Sequence, residues 1–151
     1  MDHSIKAGEL FLGGCNCAQA VFMAFEDVTG VDRKLAAKLS APFGGGMGRM
    51  REVCGAVSGM LMVLGCLYGY DDTVEDDAQK REHYKAVQEL AGKFREECGS
   101  IICREILKNP PSDPNPGPRT AEFYAKRPCS RMVMTAARIL DEYIEAHPLN
   151  A

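Results

Sequence analysis

The sequence predicts an all-α protein, a single-domain bundle of about five to seven helices. Along most of the chain, apolar residues recur at steps of three and four, the spacing that places them on one face of a helix. No segment alternates apolar and polar residues in the manner typical of a strand. A length of 151 residues is sufficient for one hydrophobic core and short for a second. We therefore expect residues 1–151 to form one domain.

The first half of the chain contains three predicted helices. The first covers residues 16–28, where Asn16 is of a type that caps helix N-termini. A short helix follows Asp32 in the segment RKLAAKLS. After the glycine-rich segment APFGGGMGRM, residues 53–70 form an uncharged run of 18 residues, near the lower limit for crossing a bilayer. Because this run contains four glycines and is flanked by charges, we expect a central helix packed on all sides instead of a membrane span.

The second half predicts a long helix, a short helix, a loop and a final helix. Residues 74–98 combine an apolar stripe with a solvated charged face, EDDAQKRE, and the segment IICREILK predicts a short helix that carries Cys103. Five of the eight prolines lie in NPPSDPNPGP, which we expect to be an extended surface loop. The segment CSRMVMTAARILDEYIEAH, preceded by Pro128, predicts the last helix.

Composition and charge exclude several classes of partner. The chain is 46% hydrophobic and 26% charged, and its net charge of -3 gives no electrostatic reason to bind nucleic acid or an anionic membrane. Its first residues, MDHSIKAGELFLGG, lack the basic start and apolar centre of a secretory signal. We therefore expect a cytoplasmic protein with no membrane insertion and no nucleic-acid partner.

Seven cysteines are the most informative residues. An odd count in a cytosolic chain argues against a framework of structural disulfides, and no C-x-x-C pair offers a local redox or zinc motif. Four of the seven lie in the first turn of different predicted helices: Cys17, Cys54, Cys103 and Cys129. A helix N-terminus stabilises a thiolate and lowers its pKa from about 8.5 to roughly 3.5–7.5. We expect these four to converge as catalytic thiols or metal ligands, although any one alone could be an inert core residue.

The other three cysteines lie outside this pattern, and each has its own interpretation. Cys15 forms a C-x-C pair with Cys17, Cys66 lies within the central helix and is expected in the core, and Cys98 is a candidate resolving thiol near Cys103.

The glycine-rich segment is not a phosphate loop, because no strand precedes it and no Gly-Lys-Ser/Thr follows. Its glycines permit positive φ and leave N–H groups free to face an anion or a thiolate-bound cluster. We therefore assign cofactor-binding positions to Gly45, Gly46 and Gly55. Arg49 and Arg51 beside them either steady negative charge or are simply solvated, and the three histidines show no ligand spacing.

Five ordered blocks carry a family resemblance: NCAQAV, FGGGMG, VCGAVSG, CREIL and RPCSRMV. They resemble the family of proteins described as redox-active and named for a C-GCAxxG-C-C cysteine pattern. The resemblance implies a small all-helical protein whose four signature cysteines fall on Cys17, Cys54, Cys103 and Cys129. The chain is also similar to the cysteine-bearing domain that accompanies haem in split-Soret cytochromes, which suggests an iron–sulfur centre as one use of the site.

Two classes of function remain open. In the first, the four cysteines exchange disulfides, or bind an iron–sulfur cluster or another soft metal in electron transfer, and the chain is a thiol-based or iron–sulfur oxidoreductase with an unidentified redox partner. In the second, the chain is a helical binding or scaffolding module with structural cysteines, dimerising through the glycine-rich central helix. Metal content and thiol reactivity distinguish the two.

Overall fold

Helices account for most of the computed structural model, which describes residues 2–149. Nine α-helices lie within this range: α1 (His3–Leu12), α2 (Cys17–Ala24), α3 (Glu26–Thr29), α4 (Arg33–Ser40), α5 (Gly55–Tyr68), α6 (Asp77–Cys98), α7 (Cys103–Ile106), α8 (Ala121–Lys126) and α9 (Cys129–Ala146). A turn of 3-10 helix, Ala41–Phe43, follows α4. The described residues contain no strand, only one antiparallel bridge between Val53 and Ile102. The all-α class is confirmed, with somewhat more helices than the five to seven predicted.

Local capping signals fix several helix starts. Asn16 caps α2 with a capping box, in which its side chain accepts from the Gln19 N–H at 2.9 Å and the Gln19 side chain accepts from the Asn16 N–H at 3.0 Å. Asp32 caps α4 and Asp76 caps α6 in the same N-terminal manner. The two predicted N-terminal signals, Asn16 and Asp32, are therefore confirmed.

The predicted helix over residues 16–28 is wrong at its end. It stops at Ala24, where the Phe25 N–H bonds to the Phe22 carbonyl at 3.3 Å in a tightened turn, and the separate helix α3 follows. This bend leaves Phe22 and Phe25 both buried. Helices α1 and α8 were not predicted, whereas the proline-rich segment before α8 has no helix or strand, as expected.

The core lies between α1, α2, α5, α6 and α9. Helix α2 packs against α1, α5 and α9, and α9 also packs against α1, α5 and α6. The largest fully buried side chains come from these helices and from the turn after α2: Phe11, Phe22, Phe25, Phe94, Met60, Leu64, Leu90, Met132, Ile139 and Leu140. No helix in the described part of the chain is long and apolar enough to cross a membrane.

Helix α5 approaches α2 through two glycines. A Cβ added at Gly55 would lie 3.1 Å from the Ala18 backbone nitrogen of α2, and one at Gly59 would lie 2.6 Å from the Ala18 carbonyl oxygen. The C-terminal half of α5 is different, because Gly65 and Cys66 are exposed. The expectation of a helix packed on all sides is therefore wrong for this half, and so is the expectation of a buried Cys66.

A buried histidine ties the N-terminal helix to the rest of the bundle. His3 stacks on Phe25 with ring centroids 4.1 Å apart. Its Nδ1 lies 2.6 Å from Asp141 on α9 and its Nε2 lies 3.0 Å from Asp27 on α3. The ring therefore joins three helices at the point where α1 begins.

Candidate functional site

Four helix starts carry the predicted site cysteines. Cys17, Cys103 and Cys129 are the first residues of α2, α7 and α9, and Cys54 immediately precedes α5. The predicted position of each cysteine at a helix N-terminus is therefore confirmed.

All four cysteines line one cavity of about 430 Å³. Cys54, Cys103 and Cys129 are only 6%, 5% and 8% exposed, while Cys17 is partly exposed. Among the positions predicted to bind a cofactor, Gly45 and Gly55 line the cavity, and Gly46 packs against Cys103 at its wall. The structure thus brings together thiols that are far apart in the sequence.

Backbone pairing places Cys54 beside Cys103. The Cys54 N–H donates to the Ile101 carbonyl at 2.7 Å, and the Cys103 N–H donates to the Glu52 carbonyl at 2.6 Å. These bonds surround the bridge between Val53 and Ile102, so two helix starts face the cavity from adjacent, antiparallel segments.

The glycine loop, defined as residues 44–52, folds over Cys103 in an unusual backbone conformation. Its residues with φ between +57° and +73° are Gly45, Gly46, Met47, Gly48, Arg49 and Arg51. Left-handed backbone costs roughly 1–2 kcal/mol at each non-glycine residue, and such strain is typical of functional sites. A Cβ at Gly46 would lie 2.7 Å from the Cys103 Cβ, so only glycine allows this close approach.

Two arginines of the glycine loop hold the proline-rich segment against the cavity. Arg49 Nε donates to the Asp113 carbonyl at 2.8 Å, and Arg51 Nε donates to the Pro111 carbonyl at 2.9 Å. Pro114 and Pro116 of that segment form part of the cavity wall. The proline-rich segment is therefore a cover for the thiol site as well as a surface loop.

Arg51 also points into the site. It is 4% exposed, and its Nη1 donates to the Cys103 sulfur at 3.7 Å. Its Nη2 is buried and has no hydrogen-bond partner among the described residues. The alternative that Arg51 is simply solvated is therefore wrong.

Arg119 and Arg127 complete the positive lining. Arg119 donates to the carbonyls of Phe11 at 3.3 Å and Cys15 at 3.1 Å, and Arg127 lies over the Phe123 ring at 5.0 Å. Sequence reasoning did not single out either residue. The position of Arg127 two residues before Cys129 was a usable signal, whereas Arg119 is brought to the site only by tertiary packing.

The four thiols differ in acidity. A hydrogen bond from the Cys17 thiol, with further help from Arg127, Arg119 and Arg51, lowers the pKa of Cys129 to about 7 against the opposing effect of burial. The same hydrogen bond, followed by burial, raises the pKa of the donor Cys17 well above its ordinary value.

Burial dominates at the other two site cysteines. It raises the pKa of Cys54 to about 12, and it also raises the pKa of Cys103 despite the nearby Arg51 guanidinium. The expectation of four acidic thiols is therefore wrong. Desolvation is the leading cause of the raised pKa at Cys54 and Cys103, the hydrogen bond to Cys129 is the leading cause at Cys17, and only Cys129 has a lowered pKa.

The remaining cysteines do not line the cavity. Cys66 is exposed on α5, and Cys98 is half-buried beside Thr135 of α9. The role of Cys98 as a resolving thiol stays a prediction. Cys15 is half-buried, and its carbonyl accepts from Arg119.

The cavity cysteines are also candidate metal ligands. Within residues 2–149, no group of three or more cysteine, histidine, aspartate or glutamate side chains is placed to hold a single metal ion. Four cysteines around one cavity are nevertheless the ligand set that iron–sulfur clusters use.

A comparison with protein families gives one match. The family model described as "Putative redox-active protein (C_GCAxxG_C_C)" matches residues 15–143, a range that contains all four cavity cysteines. No curated protein and no solved structure matches the chain.

Proposed function

The chain belongs to the C_GCAxxG_C_C family, and we propose that it is a thiol–disulfide oxidoreductase whose working pair is Cys129 and Cys17. The observation that carries this proposal is that Cys17 and Cys129 begin two separate helices and line the same cavity. The lowered pKa of Cys129, of which a hydrogen bond from Cys17 is the leading cause, supports the pairing of these two thiols.

The two thiols have different roles. Cys129 is the nucleophile, because a thiol with a pKa of about 7 is substantially ionised at neutral pH. Its thiolate attacks a substrate disulfide, forms a mixed disulfide with one half and releases the other half as a thiolate. Cys17 then loses its proton and attacks the Cys129 sulfur, which forms the Cys17–Cys129 disulfide and releases the second thiolate. Two protein thiols are oxidised and one substrate disulfide is reduced. A cellular dithiol reverses the reaction to complete a cycle.

A second candidate function rests on the presence of all four thiols around one cavity. Cys17, Cys54, Cys103 and Cys129 would be the ligands of an iron–sulfur cluster, which would supply one-electron transfer. In this chain, the arginines of the cavity would balance the charge of ionised thiolates, and burial would exclude water from them.

The test separates these functions from a scaffold with inert cysteines. Reduced protein is equilibrated with dithiothreitol buffers of graded potential, and disulfides are mapped by mass spectrometry without reduction. We expect a reversible Cys17–Cys129 disulfide, its loss in Cys129→Ser, and a trapped mixed disulfide in Cys17→Ser after addition of a small disulfide. Cys66→Ser is the matched control and should oxidise like the unchanged protein, because Cys66 lies outside the cavity.

Iron and acid-labile sulfide in anaerobically purified protein test the second candidate. Stoichiometric iron and sulfide that disappear in Cys54→Ser and Cys103→Ser would favour the cluster. A folded protein with no disulfide, no iron and no reactive thiol would support the binding module in place of both functions.

A further inference from the structure

Arg51 is a buried cation, and one of its guanidinium nitrogens has no hydrogen-bond partner in the described part of the chain. Its Nε and Nη1 donate to the Pro111 carbonyl and the Cys103 sulfur, and Nη2 is the nitrogen without a partner. A buried guanidinium is costly unless an opposite charge or further acceptors compensate it. The Cys103 thiol supplies little compensation, since burial raises its pKa and keeps it neutral. A carboxylate bound in the cavity would supply this compensation, because Arg51 is one of the residues that line it.

The other charges around the cavity support the same conclusion. Arg49, Arg119 and Arg127 also line it, and no aspartate or glutamate is found among its described lining residues. One carboxylate, that of Asp113, acts on Arg49 from the exposed proline-rich segment. An arginine guanidinium pairs well with carboxylate, because its planar donors match the two oxygens.

Size and access favour a small ligand. The cavity of about 430 Å³ falls within the range of small-molecule sites, and its wall also includes apolar side chains: Phe11, Ile106, Leu107, Phe123 and Met132. Cys129 is only 8% exposed, and the arginine-bound proline-rich segment covers the cavity beside it. A disulfide held within a folded partner would have to displace this cover, whereas a small disulfide needs only to enter the cavity.

We propose that the cavity binds an anionic low-molecular-weight disulfide, with a carboxylate of the ligand paired to Arg51. This inference rests on the proposed thiol–disulfide exchange and names the substrate class for it. The carboxylate pairs with the Arg51 guanidinium, and the disulfide bond lies toward Cys129. Attack by the Cys129 thiolate breaks the ligand's S–S bond, forms the protein–ligand mixed disulfide and releases one ligand thiolate. Closure by Cys17 releases the second ligand thiolate and leaves the protein disulfide.

The kinetic test compares disulfides of different charge. Oxidation of the reduced protein is followed in single turnovers with oxidised glutathione, which is net anionic, with bis(2-hydroxyethyl) disulfide, which is neutral, and with cystamine, which is cationic. Each rate is divided by the rate for a small model thiol to remove intrinsic reactivity. We expect the corrected rate for the anionic disulfide to exceed that for the neutral one by about tenfold or more, and the corrected rate for cystamine to fall below that for the neutral one. Added salt should reduce both differences.

Variants assign the preference to Arg51. Arg51→Gln should remove most of it and leave a remainder from the other arginines of the cavity, and Arg51→Lys should restore part of it, with helical content verified by circular dichroism. Arg33→Gln removes the same charge from an exposed pair with Glu26 outside the cavity and should retain the full preference. Equal corrected rates for the anionic and neutral disulfides, or an unchanged preference in Arg51→Gln, would overturn the anion site.

A non-reactive probe keeps this inference separable from the exchange reaction. S-methylglutathione carries the carboxylates but has no disulfide or free thiol, so it can bind without reacting. It should protect Cys129 from iodoacetamide in the unchanged protein and lose this effect in Arg51→Gln. If no disulfide oxidises the Cys17–Cys129 pair, the proposed exchange fails while protection still supports an anion site. If exchange proceeds without protection or charge preference, the anion site fails while exchange stands.

Discussion

Replacing Cys17 by alanine tests why Cys129 is acidic. The leading cause of the lowered pKa at Cys129 is the hydrogen bond from the Cys17 thiol. Alanine removes that donor but leaves Arg127, Arg119 and Arg51 in place. The pKa of Cys129 should therefore rise in Cys17→Ala, although the remaining positive charges continue to favour the thiolate.

The size of the rise follows from the energy of one charge-assisted hydrogen bond. A hydrogen bond to a charged group contributes about 1.5–3 kcal/mol, and one pKa unit corresponds to about 1.4 kcal/mol. Loss of the bond should raise the pKa by about 1–2 units from its value of about 7. Above about pH 10, beyond both midpoints, Cys129 is ionised in both proteins, so the difference in thiolate population is confined to lower pH.

The assay measures the rate of Cys129 alkylation by iodoacetamide between pH 5.5 and 10, with mass spectrometry of the Cys129 peptide. At pH 7 the thiolate fraction should fall from about one half to roughly 1–10%, but the more basic thiolate is also more nucleophilic by about 3–10-fold. The midpoint of the profile is therefore more informative than the rate at one pH. Cys17→Ser is the matched control because its hydroxyl can still donate, and its midpoint should remain near that of the unchanged protein. An unchanged midpoint in Cys17→Ala would refute the assignment of the hydrogen bond as the cause.

Three further predictions concern stability. Gly55→Val should lower the free energy of unfolding in urea by about 3 kcal/mol, because the valine side chain would meet backbone atoms. Gly65→Ala, on an open part of the same helix, should raise it by about 0.5–1 kcal/mol. Equal effects of the two substitutions would contradict this packing. Because burial raises the pKa of Cys54 to about 12, the free energy of unfolding of the reduced protein should fall by up to about 1.4 kcal/mol per pH unit above about pH 9. Cys54→Ala should make this fall less steep. An equal slope in the two proteins would show that the Cys54 thiol ionises in the folded state as it does in the unfolded one. His3→Ala should lower the free energy of unfolding by about 2–3 kcal/mol, because the two carboxylates that contact the His3 ring would lose their partner. The control His147→Ala, at an exposed histidine, should lower it by less than about 1 kcal/mol. Equal losses would argue against the three-helix junction.

Local signals in the sequence were sufficient for much of the fold. Asn16 and Asp32 marked helix starts because a capping side chain acts on N–H groups within three residues of itself. The break at Phe25 and the exposure of Cys66 depend on which neighbouring helices arrive from elsewhere in the chain. An uncharged run such as residues 53–70 predicts burial on average, but it does not identify the face left open to solvent.

The candidate site, like the fold, could be predicted only in part from the sequence. The positions of the four cysteines at helix starts follow from local patterns, and the family resemblance agrees with them. The approach of Arg51, Arg119 and Arg127 to the cavity does not follow from local patterns. It depends on the pairing of residues 51–54 with residues 101–104 and on the path of the proline-rich segment. Charged residues that serve a distant site have no spacing that distinguishes them from solvated ones.

The difference between the four thiols shows which physical effect sets their chemistry. All four occupy helix N-termini, so a helix dipole alone would make all of them acidic. Only Cys129 also accepts a hydrogen bond from a neighbouring thiol and faces three arginines, and only its pKa falls. Because the donor in that bond is Cys17, the contact that activates Cys129 also keeps Cys17 protonated until Cys129 has reacted. In the proposed exchange, attack by Cys129 would remove its negative charge and with it the leading cause of the high pKa of Cys17, so the second thiol would become easier to ionise at the step that requires it. The order of the two steps is therefore a consequence of one hydrogen bond.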